Sequence, residues 1–284
     1  MTLPKASKTP LRYIGGKSRA AKYLFDNMPK QPIDEFREPF VGGGSMSIEF
    51  SRRYPDTPVW INDVFYELYC FWMALRDQPT DLVSTLLEAK RNAGDVEGHR
   101  ALFLECKESL KDTTHTDPFC VAWRFWVVNK CGFSGLIAGG FSASASQSNF
   151  SEKNIRALAD FGQHIKDWKI TNTDYSELLV GNHNSWVYLD PPYAKVGKDG
   201  NSFVYGKKSG EIHKAFNHDT FCEDMRHVEG FAMLSYDNND LIKKMYSDWR
   251  SDVFDLTYTM HSGKAYREDE KNRKELILMN YEAL

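Results

Sequence analysis

Residues 33–63 read IDEFREPFVGGGSMSIEFSRRYPDTPVWIND. Residues 33–37 are a short strand candidate, ended by Pro39, which has no N–H to give a ladder. Gly42, Gly43 and Gly44 make a tight turn, and SMSIEFSRRY then reads as a helix. Pro58-Val59-Trp60-Ile61 is a second strand that closes at Asn62 and Asp63. Strand, glycine turn, helix, strand and acidic residue together form half of a dinucleotide-type α/β fold.

Working outward, residues 18–28 (SRAAKYLFDNM) have the three- and four-residue apolar spacing of a helix. Residues 64–129 read as successive helices: VFYELYCFWMAL, TDLVSTLLEAKRN, HRALFLECKESL and DPFCVAWRFWVV. Residues 132–151 (GFSGLIAGGFSASASQSNFS) are rich in Gly and Ser and read as a loop or irregular hairpin outside the core. Alternation resumes near Trp168. WKITNTD, WVYLD, FAMLSY, DVFDLTYTM and ELILMNY are strand candidates, with HDTFCEDMRHV and NDLIKKMYS as helices between them. The expected organisation is a discontinuous α/β domain, residues 1–66 and 161–284, interrupted by a mainly helical insertion, residues 67–160.

Composition excludes several classes. With 42% hydrophobic and 26% charged residues, the chain is neither disordered nor fibrous. Its five cysteines are odd in number and lack C-x-x-C spacing, which argues against a zinc site or a disulfide framework. No run reaches the roughly 18 apolar residues of a membrane span, and no apolar stretch follows the basic N-terminus. These features lead us to expect a cytoplasmic protein. The net charge of −3 hides an uneven distribution. Lys5, Lys8, Arg12, Lys17, Arg19, Lys22 and Lys30 face only Asp26 in residues 5–30, and lysines again dominate residues 195–214. That second segment reads either as a mobile loop over a site or as a solvated charged loop.

Three motifs bear on chemistry. The Gly42–Gly44 turn lets a ligand approach the backbone, and the helix N-terminus after it favours an anionic group; alternatively it is only a tight turn. Asp63 lies 21 residues after Gly42, where an acidic residue bonds ribose hydroxyls, or serves as a helix N-cap. Gly16-Lys17-Ser18 mimics the end of a phosphate-binding loop, but Leu11 stands where that loop needs glycine and no strand precedes it. Asp190-Pro191-Pro192-Tyr193 follows the strand Trp186–Leu189, at a strand's carboxyl end where ligands bind in open α/β sheets. Its prolines restrict the backbone and hold a carbonyl beside the Asp190 carboxylate and the Tyr193 ring. Two acceptors next to an aromatic face suit a planar ring with an exocyclic amino group. The plainer reading is a rigid strand-end turn.

LRYIGGKS, EPFVGGGS, VWINDV, NKCGFSGL, NTDY and WVYLDPPY occur in that order along nearly the whole chain. SYDNND and KELILMNY follow as late strands. Together these motifs resemble the Dam-like (D12 class, alpha group) N6-adenine DNA methyltransferases, which place the cofactor motif first and DPPY last. The resemblance implies a Rossmann-like S-adenosylmethionine-dependent fold in which the helical insertion is a target-recognition domain. It implies S-adenosylmethionine as cofactor, S-adenosylhomocysteine as product and no metal. Tyr13, Gly16, Lys17, Phe40, Gly42, Gly43, Gly44, Asp63 and Asp174 fall on cofactor-site positions. Asp63 would take the ribose and Asp174 would face the cofactor adenine, or Asp174 merely forms a strand-end turn. Asp190, Pro191, Pro192 and Tyr193 fall on the catalytic motif, with Asp190 also bordering the cofactor. The substrate would be an adenine flipped out of double-stranded DNA, since its amino group is out of reach inside a duplex.

Lys130, Ser134, Gly139, Ser142, Ser144, Gln147, Asn149 and Lys195 are the expected DNA-contacting residues. Family members that recognise GATC commonly carry an arginine, an asparagine and a Phe-Asn-Val-Pro-like segment after the NKCGFSGL-like motif. This chain has IAGGFSA instead, so GATC is not expected. The serines of that stretch either read bases or solvate a flexible loop. The expected state is a monomer, with dimerisation on DNA as the alternative, in the cytoplasm and associated with the nucleoid. The competing functions are an RNA adenine or protein glutamine methyltransferase, a non-catalytic DNA-binding relative, and a nucleotide triphosphatase using Gly16-Lys17-Ser18.

Overall fold

The computed structural model describes residues 9–13, 16–135, 138–193, 216–256 and 273–283. Strand β1 (Glu35–Glu38) and strand β2 (Val59–Asn62) pair in parallel, with Phe36 opposite Val59 and Glu38 opposite Ile61. Helix α1 (Ala21–Asp26) precedes β1, and helix α2 (Ser45–Arg53) makes the crossover to β2. Parallel neighbours need such a crossover, so the opening stretch folds as its pattern predicts. Strand β4 (Ser185–Leu189) lies on the other side of β1, and all five of its residues are buried. A strand covered on both faces reads as a near-continuous apolar run, as WVYL does, and the Ser185 hydroxyl at its start donates to the Asn182 carbonyl at 2.8 Å.

Strand β3 (Lys169–Thr171) joins β2, and β5 (Phe231–Asp237) joins β4. Strand β7 (Arg273–Met279) runs antiparallel between β5 and β6 (Arg250–Leu256). The order β3-β2-β1-β4-β5-β7-β6 makes one seven-stranded α/β sheet of Rossmann-like class. Strand order reverses at β1, so the crevice outside the carboxyl ends of β1, β2 and β4 is where such a sheet binds ligands.

Between β2 and β3 the chain forms α3 (Tyr66–Asp77), α4 (Pro79–Ala93), α5 (Val96–Ser109) and α6 (Pro118–Cys131), then α7 (Ala143–Asn149) and α8 (Glu152–His164). Helix α3 buries Leu68, Phe71, Trp72 and Leu75, one face at helical spacing. The core of these helices is continuous with that of the sheet: Trp72, Phe125 and Leu158 belong to the same apolar cluster as Phe36, Phe50 and Trp186. On the opposite face, α9 (His218–Met225) and α10 (Asp240–Met245) set Phe221, Met225 and Ile242 against Leu189, Leu234 and Leu276.

One expectation is corrected here. Residues 132–151 are not loop throughout. Gly132 and Phe141 pair antiparallel, as a hairpin would, but residues 143–149 are helical and Phe150 is fully buried. The serines that suggested a loop are accommodated in the helix. The Ser142 Oγ accepts the Ala145 N–H as its cap, while the Ser146 and Ser148 hydroxyls donate to the carbonyls of Ala143 and Ser144. Helix α8, which the sequence reading did not identify, is likewise capped by Ser151, whose Oγ accepts the Asn154 N–H.

Candidate functional site

A cavity of about 450 Å³ opens at the strand-order reversal. The end of β1 contributes Glu38 and Phe40, and the glycine turn contributes Gly42 and Gly43. The end of β2 contributes Asn62, followed by Asp63, and beyond β3 come Thr173 and Asp174. Asp190 and Pro192 stand after β4, and Phe216 and Asn217 close the wall. Tyr13, Gly16 and Lys17 reach it from the N-terminal segment. The structure therefore brings together most of the residues expected for cofactor and catalysis. Gly44, Pro191 and Tyr193 lie outside this lining.

The glycine turn serves the protein's own side chains. Gly42 has φ 46°, and a Cβ there would lie 2.5 Å from the Tyr13 ring. Gly44 has φ 70°, and its Cβ would lie 2.7 Å from the Trp72 ring. The Trp72 indole N–H also donates to the Gly42 carbonyl at 3.2 Å. The turn is thus clasped between the N-terminal segment and α3, and only a residue without a side chain fits either contact. Its N-terminal clasp is held in turn by Asn129 of α6. The Asn129 side chain accepts the Arg12 N–H at 2.9 Å and donates to the Arg12 carbonyl at 2.8 Å.

Asp63 ties the turn to β2. Its Oδ2 accepts the Gly42 N–H at 3.1 Å and its Oδ1 accepts the Phe65 N–H at 3.0 Å. Burial pushes its carboxyl up to about 6 against those two bonds. Glu38 accepts the Ser47 N–H at 3.0 Å and the Ser47 hydroxyl, fastening the end of β1 to α2. Burial pushes Glu38 up to about 8, with the Ser47 bonds opposing and the Asp190 and Asp63 charges adding. Asp174 caps the short turn after it, accepting the Ser176 N–H at 2.9 Å and the Ser176 hydroxyl at 2.6 Å.

The Lys17 ammonium donates to both Asp190 oxygens at 2.9 Å and to the Tyr193 hydroxyl at 2.7 Å. The Tyr193 hydroxyl donates in turn to Glu275 Oε2 at 2.7 Å. Burial alone would lower the Lys17 pKa, but the Asp190 and Glu275 carboxylates more than reverse this, so the ammonium stays charged. Burial pushes the Asp190 carboxyl up, and Lys17 holds against it. Glu38 and Glu275 were missed in the sequence. Glu38 stands there only as the first letter of EPFVGGGS, with no role of its own, and Glu275 as one residue of the late strand KELILMNY.

The expected DNA-contacting residues are placed unevenly. Ser144 and Gln147 are exposed on α7. Ser142 is taken up as its cap, and Asn149 turns back to the Ala145 carbonyl at 3.2 Å. Lys130 and Ser134, expected as DNA contacts, are both buried. The Lys130 ammonium lies over the Trp126 ring, 5.3 Å from its centroid. Burial pushes it down to about 7, with the Arg12 charge adding. Ser134 holds a left-handed turn at φ 55°. The Gly139 carbonyl accepts from Lys107 at 2.6 Å, which ties that loop to α5. Lys195 and the basic segment around it lie outside the described residues.

The chain is also similar to known proteins. Residues 13–267 match the family of D12 class N6 adenine-specific DNA methyltransferases. The chain is 22% identical to the Type II methyltransferase M.CviBI of Paramecium bursaria Chlorella virus NC1A, over 96% of this chain and 100% of that one. It is 24% identical to the Type II methyltransferase M.MjaIII of Methanocaldococcus jannaschii, over 69% of this chain and 73% of that one. It is 25% identical to the DNA adenine methylase of Vibrio cholerae serotype O1, over 71% and 70% of the two chains.

Proposed function

The chain belongs to the D12 class N6 adenine-specific DNA methyltransferases, and from that premise we propose how its own residues carry out adenine methylation. It is an S-adenosylmethionine-dependent enzyme acting on adenine in DNA. The observation that carries the assignment of roles is Asp190. Its carboxylate stands at the carboxyl end of β4, on the cavity wall, with both oxygens within hydrogen-bond distance of a nitrogen donor.

The cavity fits the cofactor chemically. Glu38, Asp63 and Asp174 offer acceptors for an ammonium, a ribose diol and an adenine, while Phe40, Val64 and Phe65 offer apolar surface. Tyr13, Gly16, Lys17 and Gly42–Gly44 form the adjoining wall or back it. When bound, S-adenosylmethionine supplies an electrophilic methyl group. The adenine amino nitrogen is a poor nucleophile because its lone pair is delocalised into the ring. The Asp190 carboxylate and the Pro191 carbonyl each accept one of its N–H bonds, which frees the lone pair. The amino nitrogen would take up that methyl group, leaving the cofactor as its thioether, and the proton it sheds would pass to Asp190. Positioning by the two prolines supplies much of the acceleration. Tyr193 stacks on the base, a contact of about 1–3 kcal/mol.

The segment 67–160 acts as the target-recognition region on double-stranded DNA, with Ser144 and Gln147 as its exposed candidates for contact. The enzyme works as a monomer in the cytoplasm. No helix among the described residues is long and apolar enough to cross a membrane. The test offers labelled cofactor to duplex DNA, RNA and protein. Label on adenine N6 in duplex DNA, lost in Asp190→Ala with cofactor binding retained, is the expected result. Label confined to RNA or protein, or a near-normal rate in Asp190→Ala, overturns the reading.

A further inference from the structure

Behind the catalytic motif lies a buried chain of contacts that runs from β7 to Asp190. Glu275 is fully buried, and it accepts the Tyr193 hydroxyl proton at 2.7 Å. Tyr193 accepts from Lys17, and Lys17 holds both Asp190 oxygens. The Lys17 ammonium is also 3.9 Å from Glu275 Oε2. Lys17 thus sits on the very oxygens that a substrate amino group needs. It is itself 2% exposed, and a buried ammonium driven off its partner into an apolar surround is strongly disfavoured. A second carboxylate within reach removes that obstacle. Closing 3.9 Å to a normal hydrogen bond takes a shift of about 1 Å, which a flexible lysine stem allows.

We infer that Glu275 is a positioning residue of the acceptor site: it takes up the Lys17 ammonium when the substrate amino group displaces it from Asp190, with the Tyr193 hydroxyl guiding the exchange. The inference rests on Asp190 being the amine acceptor. The three groups have separate parts. Asp190 binds substrate, Lys17 holds its carboxylate until substrate arrives, and Glu275 acts through Lys17 and Tyr193. Electrostatics favour the exchange, because Lys17 faces the Asp190, Glu275 and Asp237 carboxylates together. The ammonium remains charge-paired wherever it rests among them.

Glu275→Gln keeps the side-chain volume and an acceptor for Tyr193 while deleting the charge. With methylation-free plasmid DNA and labelled S-adenosylmethionine, kcat should fall about ten- to a hundredfold, the scale of one charge-assisted hydrogen bond. KM for DNA and cofactor affinity should stay near wild type, because the defect lies after binding. In a Lys17→Met background the same change should have no further effect, since Glu275 then has no ammonium to receive. A Glu275→Gln rate within twofold of wild type overturns the inference, as does a loss that multiplies fully with that of Lys17→Met. If Glu275→Gln no longer binds cofactor, Tyr193→Phe replaces it in the same cycle with Lys17→Met. Non-additive losses there support the exchange and multiplicative losses overturn it. A failure of the underlying function would be seen separately, as no label on DNA adenine from the wild-type enzyme.

Discussion

Replacing Glu38 by glutamine should change how stability depends on pH. Glu38 is 3% exposed and accepts two hydrogen bonds from Ser47. Burial, opposed by those bonds, raises its carboxyl from 4.5 to about 8. Below about pH 4.5 it is protonated in both the folded and unfolded states, so it contributes no pH dependence. Between about 4.5 and 8 the unfolded chain has released the proton and the folded protein has kept it. The unfolded state then binds fewer protons, so stability falls as pH rises through this window and levels off above about 8. A gap of about 3.5 units, at about 1.4 kcal/mol per unit, corresponds to a loss on the order of 5 kcal/mol.

Glutamine has no proton to lose, and its carbonyl can still accept from Ser47. The stability of Glu38→Gln relative to wild type should therefore climb by several kcal/mol between about pH 4.5 and 8 and then stay level. The assay is urea unfolding of both proteins across that range without cofactor, because a bound ligand adds its own stabilisation. A difference that stays flat, or that falls as pH rises, refutes Glu38 as an acid held protonated by burial.

Gly44→Ala forces a side chain into a left-handed turn and against the Trp72 ring at 2.7 Å. Backbone strain of about 1–2 kcal/mol and overpacking of about 1–3 kcal/mol together predict a loss of about 2–5 kcal/mol in chemical denaturation, partly recovered in Gly44→Ala/Trp72→Phe; a loss below about 1 kcal/mol would show that the turn is glycine for some other reason. Lys107→Met removes the donor to the Ala138 and Gly139 carbonyls. Amide exchange at Phe133 and Ser142, whose N–H bonds to Gly140 and Cys131 close the hairpin, should speed up with little change in global stability, and unchanged protection would rule out Lys107 as its anchor.

The sequence alone determined the sheet's parallel half and the place of the DPPY motif after a strand, because both are written in short-range patterns. Residues 33–63 carry a strand, a turn, a helix and a strand in contiguous order, and DPPY sits directly after a strand that can only be buried. Local signals failed where a side chain's partner is distant in the chain. The serines of residues 142–148 look like loop residues until their hydroxyls are seen bonding carbonyls of their own helix. Lys130 looks like a surface cation until α6 is packed against α3, α5 and α7. Glu275 is one letter in a late strand, and only the antiparallel insertion of β7 beside β5 brings it to Tyr193 and Lys17 across more than 80 and 250 residues of chain. Tertiary packing also assigned the glycine turn to Tyr13 and Trp72. A sequence records which residues can tolerate a close approach, but which ring makes it depends on how separate elements stack, and burial alone gives those contacts and charges their strength.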